Sequence, residues 1–356
     1  MRIGLLAPPW LAVPPRAYGG TEAVVDAVAR GLAAAGHDVL LWTVGESTCP
    51  VQRGWLYERA RTREIGLVSV EVPHVLAAYL AFERWGAQIV HDHSIAGPVI
   101  AATRTTMPIV TTNHGRFDLE ANATYRGCAD RVAIVAISHD QASRADVPVA
   151  AVIHHGIDLA RYEPGDGGGD EQGPYLVFLG RMTVEKGPHR AVRIARRAQT
   201  RLLIAAKMHS VDEQRFFRES VEPLLGDGVE YVGEVGHADK QRLVGGALAL
   251  VNPLGWPEPF GLAMVESLAC GTPVVATDVG SVRELIQDGV TGFVCRDDDE
   301  MVHRLQDIRR IDRRGCRRAA EARFSQERMV ADHLALYERV LGGGTHRGGR
   351  LAGEAA

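Results

Sequence analysis

Trp256-Pro-Glu-Pro-Phe-Gly-Leu-Ala-Met-Val-Glu-Ser-Leu-Ala-Cys-Gly-Thr-Pro-Val-Val-Ala-Thr-Asp278 carries two glutamates, Glu258 and Glu266, with seven residues between them. Pro259 disfavours α geometry at Glu258 and so puts it on a loop. Leu262, Val265 and Ala269 recur at helical spacing, so Gly261 to Ala269 reads as a helix. Gly271, Thr272 and Pro273 stop it, and Val274-Val275-Ala276 reads as a short buried strand. The first amides of such a helix, around Phe260, Gly261 and Leu262, have no acceptor inside it and face an anion or hydroxyl oxygens with the favourable end of the helix dipole. Gly261 removes side-chain bulk where a ligand must come close. One carboxylate at the mouth and one further along the helix can grip two parts of a hydroxyl-rich ligand. Two glutamates in isolation would read as solvated charges.

The same grammar recurs along the chain. Residues 2 to 7 read as a buried strand, followed by a Pro- and Gly-rich loop to Gly20. A helix from Glu22 to Ala35, capped by Thr21 or Gly20 and ended by Gly36, leads to a strand over 39–44. Strand, glycine loop, helix and strand open a doubly wound α/β domain. The fingerprint Gly-x-Gly-x-x-Gly is absent from this first turn, where Gly19-Gly20-Thr21 stands instead. Paired glycines before a helix can present amides to a phosphate, although a lone Gly-Gly is more often a turn. Val68 to Val72 is expected as a strand and Val75 to Trp85 as a helix.

Three further strands end in His91-Asp92-His93-Ser94, Asn113-His114-Gly115 and Ser138-His139. Ligands of open α/β sheets bind at the carboxyl ends of strands, so the repetition marks one edge as a ligand edge. His139 is read as structural. His91-x-His93 lacks an evident third ligand and makes a poor metal site, so no metal is expected.

Gly165-Asp-Gly-Gly-Gly-Asp-Glu-Gln-Gly173 is too poor in apolar residues to pack and reads as a linker. Beyond it Tyr175-Leu-Val-Phe-Leu179 opens a second strand, ending in Gly180-Arg181-Met-Thr-Val-Glu-Lys186-Gly187. Arg181 can clamp phosphate oxygens in a fork and Lys186 adds a mobile point charge. Strands follow over 202–206, 229–232 and 247–251. Arg309 to Arg323 reads as a helix with a solvated arginine face, and Glu327 to Leu341 as a final amphipathic helix. Glu284 and Asp278 read as capping and packing residues.

Length and composition bound the rest. A chain of 356 residues is more than one core fills. Its net charge of −4 gives no reason to expect nucleic acid. Five scattered cysteines show no metal spacing and suit reduced thiols in a cytoplasmic protein. No apolar run reaches membrane-spanning length, and the N-terminus has no signal-peptide pattern.

Glu258-Pro-Phe-Gly-Leu-x-x-x-Glu266 and Gly180-Arg-x4-Lys-Gly187 together resemble the Glu-x7-Glu and diphosphate motifs of retaining glycosyltransferase family 4. The resemblance covers residues 1 to 341 and is most specific in the second half. It implies a GT-B fold, two Rossmann-like α/β domains facing across a cleft. The first would run over 1–164, the linker over 165–173 and the donor domain over 174–326. The helix at 327–341 would pack back on the first domain, and 342–356 would be a disordered tail. The implied reaction moves a hexosyl group from a nucleoside-diphosphate sugar, UDP first and GDP-mannose second, to an acceptor hydroxyl, without metal or other cofactor. Arg181, Lys186, Gly19 and Gly20 would meet the diphosphate. Glu266 would hold the ribose. Glu258, Phe260, Gly261 and Leu262 would hold the sugar. Met208 and Val235 would border the base, and His114 would steady the sugar. His93 and Asp92 would line the acceptor side. His155 stands where the family usually has asparagine in Asn-Gly-Val/Ile-Asp, and its role is open. A GT-B-fold epimerase and a non-catalytic nucleotide-sugar binder are the alternatives. Peripheral membrane contact through the arginine helix is not favoured.

Overall fold

The computed structural model describes residues 1–343. Two compact units emerge, residues 1–156 with the C-terminal segment from Gln326, and residues 157–325.

The first unit holds a seven-stranded sheet in the order β3-β2-β1-β4-β5-β6-β7. Its strands are β1 (Arg2–Leu6), β2 (Asp38–Thr43), β3 (Gln52–Trp55), β4 (Ile89–Asp92), β5 (Ile109–Thr112), β6 (Val132–Ala136) and β7 (Ala151–Val152). All pairings are parallel. Helices α1 (Gly20–Ala34), α2 (Val68–Trp85), α3 (Gly97–Arg104), α4 (Leu119–Arg126) and α5 (His139–Ser143) connect them. Strands buried on both faces read as unbroken apolar runs, and Val-Ala-Ile-Val-Ala of β6 is buried at every position.

The second unit repeats the plan with six parallel strands in the order β10-β9-β8-β11-β12-β13. These are β8 (Tyr175–Arg181), β9 (Arg201–Lys207), β10 (Val229–Gly233), β11 (Leu250–Asn252), β12 (Val274–Thr277) and β13 (Gly292–Cys295). Its helices are α6 (Pro188–Arg197), α7 (Val211–Phe216), α8 (His237–Gly246), α9 (Leu262–Ala269), α10 (Val282–Leu285), α11 (Asp298–Leu305) and α12 (Arg313–Arg323). The last helix, α13 (Gln326–Leu341), belongs to the first unit and packs on α1, where Val330 touches Gly31. In both sheets the strand order reverses beside the first strand, between β1 and β4 and between β8 and β11. Those are the switch points where such sheets take ligands.

Several expectations need correction. The stretch 68–72 is the start of α2, because Val70, Val75, Ala78, Tyr79 and Phe82 bury one helical face and outweigh the β preference of its valines. The edge strand β3 was not anticipated, being short and half exposed. Helix α1 starts at Gly20 with Gly19 as cap, ahead of Glu22. The glycine-rich run 165–173 is not the linker, since the chain changes units at 156–157. Gly165, Gly167 and Gly169 donate to the carbonyls of Cys270, Gly245 and Gly246, so the run lies on the second unit through its backbone. A Cβ at Gly165 would stand 2.2 Å from the Gly245 carbonyl oxygen, which is why glycine rather than side chains fills this run.

The arginine helix is also less solvated than expected. Arg313 donates to the carbonyls of Gly165, Ala247 and Gly245 and to Thr272 Oγ1. Arg317 donates to the carbonyls of Tyr162, Ala269 and Leu159. The tail expected over 342–356 falls outside the described residues from 344 on.

Candidate functional site

In the second unit the C-terminal ends of β8 and β11 are drawn together by glycine and arginine contacts. Gly187 takes φ +75°, and a Cβ there would lie 2.2 Å from the Pro253 carbonyl oxygen. Arg190 Nη1 donates to the Pro253 and Leu254 carbonyls, while its Nη2 pairs with Asp298 at 2.6 Å. Gly255 N–H donates to the Glu185 carbonyl. The result is a direct ion pair from Lys186 Nζ to Glu258 Oε2 at 2.5 Å, with both side chains largely buried. Lys186 Nζ also stands 5.5 Å from the Trp256 ring centroid.

Glu258 is fixed from behind. Ser281 N–H donates to its carbonyl, and Ser281 Oγ donates to the Phe260 carbonyl. Gly280, at φ +60°, passes so close that a Cβ would meet Glu258 N at 2.4 Å. Phe260 turns its ring inward onto Phe324 and offers the site only backbone. Gly261 caps α9 in the left-handed region, and no side chain caps that helix. The N–H groups of Gly261 and Leu262 donate to no chain atom among the described residues. They form the amide mouth that the sequence pattern suggested.

Further along α9, Glu266 Oε1 accepts from Tyr162 Oη at 2.9 Å and pairs with Lys240 Nζ of α8. The two glutamates thus each hold one lysine. Arg181 ends β8, half exposed, with its Nε and Nη2 on Glu213 Oε1. Burial works against charge on Glu213. Hydrogen bonds from Ser210 and His209 N–H and from Arg181 outweigh it and hold that carboxyl below its ordinary value. Part of the Arg181 charge is therefore shared with a protein anion. Met208 and Val235 follow β9 and β10, both half-buried.

In the first unit the strand ends carry a histidine cluster. His91 Nδ1 meets Tyr337 Oη at 2.6 Å and its Nε2 meets Thr112 Oγ1 at 2.7 Å. His93 Nδ1 and His114 Nε2 lie 2.8 Å apart, which requires one ring to donate and the other to accept. His155, whose role was open, stacks on His114 at 5.1 Å between centroids and 25° between planes. His333 of α13 approaches His91 at 4.8 Å. Burial and neighbouring histidines push His91, His93 and His155 well below the ordinary imidazole value. Burial alone takes His114 to about 4. The cluster is neutral at pH 7 and offers hydrogen bonds rather than charge.

Asp92 departs from the acceptor-side expectation. Its Oδ1 accepts from Ser94 N–H and Oγ, and its Oδ2 from Tyr79 Oη, all within a fully buried site. Burial raises its carboxyl to about 6. Its work is to hold the turn into α3. Gly19 and Gly20 stand at the start of α1, which likewise has no side-chain cap. Tyr162 and Lys240 escaped the sequence reading, because neither carries a local signal and each meets its partner only in the folded unit, whereas Glu213 closes a capping box with Ser210 that marks a helix start without showing its pairing with Arg181.

Comparison with known proteins agrees with this frame. The model of glycosyl transferases group 1 matches residues 163–322, and that of Glycosyltransferase Family 4 matches residues 18–161. A D-inositol 3-phosphate glycosyltransferase of Mycobacterium marinum is 28% identical over 74% of this chain and 61% of its own length. A glycogen synthase of Mycobacterium tuberculosis is 26% identical over 73% of this chain and 64% of its own. The matched region thus spans less than two thirds of these relatives. Sucrose-phosphate synthase from Thermosynechococcus elongatus superposes with a TM-score of 0.81 at 20% identity, over 96% of this chain and 99% of that one. Anabaena HepE, solved with UDP-glucose, gives 0.74 at 18%, over 94% and 99%. These last two show the fold. With two parallel doubly wound sheets and both family models matched in order, the chain belongs to the family 4 type of glycosyltransferases, with the GT-B fold.

Proposed function

We propose that the protein is a retaining glycosyltransferase that moves a hexosyl group from a nucleoside-diphosphate sugar to an acceptor hydroxyl. The observation that carries this reading is the Lys186–Glu258 pair at the switch point of the second sheet, beside the uncapped start of α9. A cation, a carboxylate and free amides within one short loop system suit a sugar diphosphate better than either a hydride carrier or a simple sugar.

The chemistry follows from charge. As the bond from the sugar C1 to the phosphate oxygen breaks, negative charge gathers on the diphosphate. Lys186, the remaining N–H groups of Arg181 and the α9 amides stabilise that charge, the role a divalent cation would otherwise play. We therefore read the reaction as metal-independent. Glu258 holds sugar hydroxyls and supports the positive charge developing at C1. The acceptor oxygen forms its new bond to C1 on the face the phosphate leaves, and its proton passes to the departing phosphate oxygen. Glu266 takes the ribose hydroxyls. Met208 and Val235 border the base. Gly19 and Gly20 offer amides to phosphate. His114, neutral, serves as a hydrogen-bond partner for a sugar hydroxyl, and His93 orients it.

A UDP-sugar is the first choice of donor and GDP-mannose the second. HepE, which shares the fold, was solved with UDP-glucose, and this supports the order. Calorimetric titration with UDP, GDP and ADP, with and without EDTA, tests the reading. One nucleotide should bind in the micromolar range, unaffected by EDTA and lost in Lys186→Ala. Sugar nucleotides on that base then go to turnover assays, where diphosphate release must need an acceptor. Epimerisation of the donor without acceptor, or binding without any turnover, would replace the transferase with an epimerase or a sensor.

A further inference from the structure

Glu266 is held asymmetrically. Its Oε1 accepts from both Tyr162 Oη and Lys240 Nζ, while its Oε2 accepts no hydrogen bond among the described residues and is open to solvent. Tyr162 is itself fixed. It is buried, its ring meets the His237 ring edge-on at 4.9 Å, and His237 Nε2 lies 2.9 Å from the Arg161 carbonyl oxygen. Arg317 donates to the Tyr162 carbonyl from the other side. Lys240 has a largely buried side chain and makes this pair from α8, an element not adjacent in sequence to α9. Two donors on one oxygen set both the position and the rotation of the carboxylate, and leave the second oxygen as the acceptor for a ligand.

We propose that Tyr162 and Lys240 are positioning residues that aim Glu266 Oε2 at the paired hydroxyls of a ribose, so that this site selects ribonucleotides over nucleotides lacking those hydroxyls. The inference rests on the donor-site reading above. A carboxylate free to rotate can follow a poorer ligand, whereas one fixed at a single oxygen rewards only a diol at the right place. Neither side chain touches the ligand. Their effect therefore belongs in the ratio of affinities, and a general loss of binding would point to structure instead.

The experiment is calorimetric titration of the whole protein with UDP, GDP and ADP, each beside its 2′,3′-dideoxy counterpart. The wild type should bind the ribose form at least about tenfold more tightly, the scale of a hydrogen bond to a charged group. Glu266→Ala should bring the ratio close to one. Tyr162→Phe and Lys240→Met should each lower it severalfold while leaving affinity for the dideoxy form unchanged, and Lys240→Arg should recover most of it. If either substitution weakens both forms equally, or leaves the ratio intact, the positioning role is refuted while the donor site stands. If no nucleoside diphosphate binds the wild type, the donor site and this inference fall together.

Discussion

Lowering the pH should unfold the first unit before the second. Six of its histidines, His74, His91, His93, His114, His155 and His333, are held below the ordinary imidazole value, mainly by burial. His74 comes down to about 4 and His333 to about 3, and both are almost fully buried. The unfolded chain takes up protons near 6.5 that the folded state refuses until much lower pH. Stability from these groups is complete above about pH 6.5 and drains as pH falls toward 4. Between pH 7 and 5 His74 and His333 each cost about 2 kcal/mol.

Asp92 acts in the opposite direction. Its folded value of about 6 lies above the unfolded one, so protonation on acidification favours the fold by about 1 kcal/mol over the same range. His74 and His333 alone then leave a net loss of about 3 kcal/mol, and the four others add to it. A loss of that size is a large share of the stability of a typical domain.

Four of the five tryptophans, Trp10, Trp42, Trp55 and Trp85, lie in the first unit and only Trp256 in the second. Trp256→Phe therefore makes emission report the first unit alone. Urea titrations at pH 7, 6 and 5 should show its midpoint falling steeply, with about two or more protons taken up on unfolding. His333→Asn should flatten the slope by about one proton. An uptake below one proton, or a midpoint insensitive to pH in this window, would refute the neutral-cluster picture.

Three further outcomes are expected. Lys186→Met should weaken nucleoside-diphosphate binding more than Arg181→Ala in calorimetry, because both cations are paired with a carboxylate but Lys186 is largely buried, where charge is weakly screened, while Arg181 is half exposed. Gly280→Ala forces a Cβ onto Glu258 N and O and should lower the thermal midpoint of the second unit together with donor affinity, at a cost of about 2 kcal/mol or more. Arg313→Met strands the Gly165 and Ala247 carbonyls, leaves Gly245 with only its bond from Gly167 N–H, and should destabilise the second unit by about 2–4 kcal/mol in urea titration. A shift within experimental error for the last would show that water replaces the lost donors.

Much of the fold was legible because parallel strands buried on both faces announce themselves as apolar runs, and glycines mark the turns that follow. Strands β1, β2, β4 to β6 and β8 to β12 fall within a few residues of where the apolar runs put them. The edge strand β3 and the start of α2 were not legible, since half-exposed sequence carries little pattern and packing decides between helix and strand. The glycine-rich run at 165–173 shows the limit of composition. It is poor in side chains because backbone meets backbone there, as the Gly165 and Gly169 contacts show, and the same poverty elsewhere signals a linker.

The candidate site divides the same way. Glu258, Glu266, Arg181, Lys186 and Gly261 stand in short local patterns, where spacing alone places a carboxylate on a loop, a cation after a strand and a glycine at a helix start. Their partners do not. Tyr162 lies 104 residues from Glu266, and Tyr337 lies 246 from His91. Asp92 sits in a suggestive motif, yet its carboxylate turns into the core toward Tyr79. The sequence by itself determined which chemistry is available, because periodicity and turn residues are local properties. Which atom each group aims, and whether its charge is already shared, was decided by the tertiary structure, because hydrogen bonds and burial join residues that the chain order keeps far apart.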